Sequence, residues 1–87
     1  MSSDIFLIRK AILLQADAAF PASLPIKTIC IGLELSGLKV SEKIVEREIE
    51  YLQQKSFLSI TLSEICPTSK RVKITATGID FIQSGEF

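Results

Sequence analysis

The spacing of apolar positions changes after residue 55, from three or four to two, which sets helices before a hairpin. Residues 4 to 19, DIFLIRKAILLQADAA, hold no glycine or proline and predict a first helix, with Asp4 as the N-terminal cap. One apolar stripe runs through Ile5, Ile8, Ile12, Ala16 and Ala19, and a second through Leu7, Ala11, Leu14 and Ala18. One small core covers the first stripe. The second is either wrapped by the rest of the domain or buried against another copy of the chain, which makes Leu7, Ala11, Leu14 and Ala18 the expected homodimer interface.

FPASLP, residues 20 to 25, breaks this helix with two prolines, and Ser23 is placed to cap the next one. The second helix is expected from Pro25 to Leu35, with Ile26, Ile29, Cys30 and Leu33 at core spacing and Ser36-Gly37 as its stop. Gly32 inside it marks a close approach of another helix, because an interior glycine otherwise costs roughly 1 kcal/mol against alanine. GLKVS leads to a third helix from Glu42 to Lys55, capped by Ser41 and buried along Val45, Ile49 and Leu52.

Beyond Ser56, Leu58, Ile60 and Leu62 alternate with Ser59, Thr61 and Ser63 as one strand. Val72, Ile74 and Ala76, alternating with Arg71, Lys73 and Thr75, form a second that faces the same core. EICPTSK is the exposed loop between them, Thr77-Gly78 ends the hairpin, and Ile79, Phe81 and Ile82 predict a short terminal helix.

Eighty-seven residues make a single domain with one small core, and no repeat or linker divides it. Ten basic residues balance ten acidic ones, so no net charge draws the chain to nucleic acid or membrane. Neither a signal peptide nor a membrane span fits the N-terminal helix, which carries Arg9 and Lys10, and the expected location is cytoplasmic. Cys30 and Cys66 have no metal-ligand spacing, and with no histidine present the expectation is two reduced thiols, no metal and no cofactor. No nucleophile has an evident base beside it and no glycine-rich phosphate loop occurs, which argues against an enzyme; Glu34, Glu42, Glu46, Glu48 and Glu50 are expected to be surface acids.

The order helix, helix, short turn, helix, two-stranded hairpin and apolar tail describes an α+β domain. It resembles the winged helix-turn-helix superfamily over nearly the whole chain. The resemblance rests on Ser41, Val45, Ile49 and Leu52 leading into KSFLSI, and on VKITATGIDFI as second wing strand and final helix. A narrower resemblance is to the small winged-helix proteins of Mu-like phages, from which the chain departs at Ser56, where glycine is common, and in its long wing loop. The superfamily resemblance implies double-stranded DNA as partner, helix 3 in the major groove and the wing on phosphate or minor groove.

Helix 3 complicates that implication, because from Glu42 to Lys55 it carries four acids against three bases. Lys43 and Arg47 are the candidates for base or phosphate contact, Lys70, Arg71 and Lys73 for phosphate along the wing, and Lys39 for phosphate at the turn. The competing expectations are Lys43–Glu46 and Arg47–Glu50 ion pairs on a solvated face, Tyr51 packed on the wing, and wing charges that only blunt an exposed edge. A winged-helix transcription regulator and a protein-interaction or assembly module therefore both fit the residues.

Overall fold

The computed structural model describes residues 2–62 and 70–85, with side chains from residue 5 onward. Four helices, α1 (Ser2–Ala19), α2 (Ile26–Leu35), α3 (Glu42–Gln54) and α4 (Ala76–Gln83), pack with three strands, β1 (Leu24–Pro25), β2 (Leu58–Leu62) and β3 (Lys70–Ile74). The sheet is antiparallel in the order β1-β3-β2. The wing loop, Cys66 and the last two residues of the SGEF tail lie outside the described residues.

The core formed by the described residues is aliphatic. Ile8, Ile12, Leu13 and Ala16 of α1 meet Ile26, Ile29 and Leu33 of α2, Val45, Ile49 and Leu52 of α3, and Leu58, Val72 and Ile74 of the sheet. α1 touches α2, α3, α4 and β3, as a central helix should. Its second stripe still reaches solvent, with Leu7 49% and Leu14 43% exposed and Ala18 open, whereas Ala11 is half-buried against the core. The helix begins at Ser2, so Asp4 lies within its first turn rather than at its cap.

Gly32 has the role its position suggests. The Gln15 side chain of α1 lies across it and donates from Nε2 to the Ile29 carbonyl at 3.2 Å, so a methyl at residue 32 would collide with that amide. Two chain reversals end in the same way. After α2, Leu38 N–H donates to the Leu33 carbonyl and Gly37 N–H to Glu34, with Gly37 at φ 87°. After α3, Phe57 N–H donates to the Leu52 carbonyl and Ser56 N–H to Gln53, but here the left-handed position, φ 68°, belongs to serine.

Four local expectations are corrected. Strand β1 is new: two residues carry no periodicity, and Pro25 tolerates its place because β1 lies at the sheet edge. Ser23 does not cap α2, since its hydroxyl and carbonyl both accept from Arg71. Leu62 is 59% exposed, because burial fades along β2 from Leu58 toward Leu62 and alternation alone does not supply cover. Ala76 is no strand residue. Thr75 Oγ1 accepts from Gly78 N–H at 3.0 Å and donates to the Ser56 carbonyl at 2.6 Å, which starts α4 at once. Gly78 is buried against the Phe57 carbonyl, where a Cβ would not fit.

The left-handed serine yields a stability expectation. An L-residue in that region costs about 1–2 kcal/mol, part of which glycine recovers and part of which its unfolded-state entropy offsets. Ser56→Gly should stabilise the domain by about 0.5–1 kcal/mol in urea denaturation with an unchanged slope.

Candidate nucleic-acid interface

The outward face of α3 exists because Val45, Ile49 and Leu52 point inward at helical spacing and Ser41 fixes the start, its Oγ accepting the Ile44 N–H at 3.3 Å. Lys43, Glu46, Arg47 and Glu50 are consequently exposed. They form one wall of a cleft of about 490 Å³, floored by Ile26, Ile49 and Ile60, and Lys70 of β3 stands on the opposite wall. Three cationic and two acidic side chains thus share one concavity.

Sheet alternation explains why the wing cations are not one cluster. Lys70 shares a face with Val72 and Ile74, which aims it toward α3; Arg71 and Lys73 lie on the other face. Arg71, expected in water, is half-buried, donating from Nε to Ser23 Oγ at 2.8 Å and from Nη2 to the Ser23 carbonyl at 2.9 Å. It ties the α1–β1 connection to the sheet. Lys73 is exposed, with its ammonium 5.8 Å from the Phe20 ring centre. Lys39 is exposed two residues before the α3 cap and does not line the cleft. The structure therefore brings together Lys43, Arg47 and Lys70, and leaves Arg71 and Lys73 on the opposite face of β3 and Lys39 before α3, outside the cleft.

Glu48 is the residue that sequence reasoning misplaced. It is 1% exposed, and Arg9 of α1 donates from Nε to its Oε1 at 2.6 Å, while Arg47 Nε stands 3.5 Å from Oε2. The available signal was that residues 45, 48, 49 and 52 all fall on one helical stripe. Among the described residues neither Lys43–Glu46 nor Arg47–Glu50 forms the expected ion pair, since Arg47 turns back toward Glu48. Tyr51 is exposed, and the Arg9 guanidinium lies 3.9 Å over its ring.

Cys30 packs against the core from α2. Burial first, then the nearby Glu42 and Glu46 charges, push its thiol above the ordinary value and keep it protonated. Among the described residues no three acidic or cysteine side chains gather as a metal site, and no helix is long and apolar enough to cross a membrane.

No protein-family model and no curated protein matches this chain. Among solved structures it is similar to the crystal structure of a MepR mutant from a multidrug resistant S. aureus clinical isolate, with a TM-score of 0.62 and 13% identity. The likeness covers 97% of this chain and 54% of that one, so this chain spans about half the length of that protein. What the two share is the fold, a winged helix-turn-helix with its wing present.

The Arg9–Glu48 contact carries the expectation for this site. Arg9→Ala strands a buried carboxylate and should cost about 3 kcal/mol, the lower end for a broken buried pair because Arg47 partly replaces the lost partner. Glu48→Gln keeps an acceptor and should cost only about 1–2 kcal/mol. Chemical denaturation of both variants checks the order, and equal or reversed costs would show that the carboxylate does not depend on Arg9.

Proposed function

We propose that the chain is a small winged-helix DNA-binding protein of the cytoplasm that regulates transcription by occupying duplex DNA, without catalysis or cofactor. The observation that carries this reading is the cleft between α3 and β3, where Lys43, Arg47 and Lys70 converge from two elements. In this reading α3 enters the major groove, Lys43 and Arg47 reach base edges or phosphate, and Lys70 holds phosphate from the wing side. Lys39 and Lys73 supply flanking phosphate contacts, while Arg71 acts through the sheet that it braces. Two copies pair through the exposed stripe of α1, so that two cleft faces engage one duplex.

Glu46 and Glu50 in the same cleft favour a second reading, a protein-assembly module whose mixed-charge face meets a complementary protein surface. Salt dependence separates the two. Fluorescence anisotropy on random-sequence duplex should show binding that weakens with salt, and alanine at Lys43, Arg47 and Lys70 together should flatten the log-log slope by about three. Binding with an unchanged slope would remove the cleft from the interface, and no binding at low salt would leave the assembly reading.

The pairing has its own check. Leu7→Glu and Leu14→Glu should each give a folded monomer in sedimentation velocity at concentrations where the parent chain is a dimer. Dimers that persist in both variants would place the contact away from this stripe.

A further inference from the structure

The Arg47 side chain is 75% exposed, yet its guanidinium stays beside the carboxylate of its neighbour, with Nε 3.5 Å from Glu48 Oε2. The other oxygen of that carboxylate is taken by Arg9 at 2.6 Å. Glu48 is 1% exposed, so packing fixes it as a brace and it cannot rotate away as a surface acid would. Arg47 stands on the ridge between two concavities. On one side is the cleft it shares with Lys43 and Lys70, and on the other a hollow of about 290 Å³ that it shares with Arg9, Glu48 and Tyr51. Among the described residues no other acid pairs with its guanidinium.

We propose that Glu48 is a positioning residue for base recognition: anchored by Arg9, it restrains Arg47 at Nε so that the guanidinium fork meets O6 and N7 of a guanine in the major groove. This inference rests on the DNA reading above and adds the base that is read and the residue that prepares its reader. A long arginine on an open helix face loses side-chain freedom when it docks on a base. A buried carboxylate that already restrains it removes part of that cost. Two parallel N–H donors then match guanine, which alone among the bases presents two adjacent acceptors in the major groove. Lys43 and Lys70, on the walls of the same cleft, offer point charges without a fork and suit phosphate instead. Glu46 and Glu50 oppose phosphate on every sequence alike, so discrimination falls to the directed contact of Arg47.

Selection from a randomised duplex pool, followed by fluorescence anisotropy on the selected duplex, tests the assignment. That duplex should contain a guanine whose replacement by adenine weakens the parent about tenfold and leaves Arg47→Ala unaffected. Glu48→Gln should weaken binding to the guanine duplex about fivefold and change binding to the adenine duplex less than about twofold. The log-log salt slope should stay as in the parent, because no phosphate contact is lost. In an Arg47→Ala background Glu48→Gln should have no further effect on affinity. Glu48→Asp keeps the charge, shortens its reach and should give the same pattern, so the result does not hinge on the stability of the glutamine variant. Circular dichroism at the assay temperature confirms that each variant is folded. A loss spread equally over both duplexes, or one that persists without Arg47, would show that Glu48 acts only through the fold. A selected duplex with no guanine tied to Arg47 would show that the fork reads no base. Either outcome overturns this inference while the DNA reading stands, and no duplex bound at low salt removes both.

Discussion

A carboxylate sealed from water must find a cation, and in this domain that requirement orients everything built on α3. Glu48 faces the interior on the same stripe as Val45, Ile49 and Leu52, where an unpaired charge would be strongly destabilising. Arg9 supplies the partner from the middle of α1 and lies over the Tyr51 ring as it does so. The apolar stripe alone fixes the rotation of α3 loosely, since several aliphatic packings bury similar area. An ion pair closed at 2.6 Å between two helices fixes it sharply. Lys43 and Arg47 owe their place on the cleft wall to that rotation.

The same contact divides α1 between two tasks. One side delivers Ile8, Ile12, Leu13 and Ala16 to the core and Arg9 to Glu48. The other side retains Leu7, Leu14 and Phe6 in solvent although three other helices and a strand already pack against the helix. For a domain of this size, aliphatic and aromatic area left open on its central helix is area that a partner can cover. The wing is held independently. Arg71 pins the α1–β1 connection to β3, and Thr75 closes the far end by joining the Ser56 carbonyl to the first turn of α4.

Most of the architecture was legible in the residues because it rests on periodicity. The stripes of α2 and α3, the Ser41 cap, the Gly37 stop and the change to a two-residue period each follow from short-range patterns. What escaped depends on contacts between distant parts of the chain. Arg71 leaves solvent because Ser23 lies 48 residues away in sequence and next to it in space. Glu48 was read as a surface acid because its type outweighed its position on the stripe. Leu62 obeyed its alternation yet remained exposed, since alternation sets the face of a strand and not whether anything covers it. The departure at Ser56 was visible, but its meaning was conformational: the position requires a left-handed backbone, and serine accepts the strain there.

The acidity of α3 looks different once each acid has a place. Of the four glutamates between residues 42 and 54, Glu48 is the internal counter-ion of Arg9. Glu42 lies in the first turn, where the helix dipole favours an anion, and with Glu46 it bears on Cys30 of α2. Glu50 and Glu46 are the acids left on the cleft wall, against Lys43, Arg47 and Lys70. A helix whose sequence is acidic therefore presents a cleft with a small excess of positive charge. In the proposed DNA reading, so small an excess gives one copy only a few counter-ions to release. In the proposed reading, two copies joined through α1 would double the number of cationic contacts on one duplex, which would make the face of α1 opposite the core and the face of α3 opposite the core parts of one requirement.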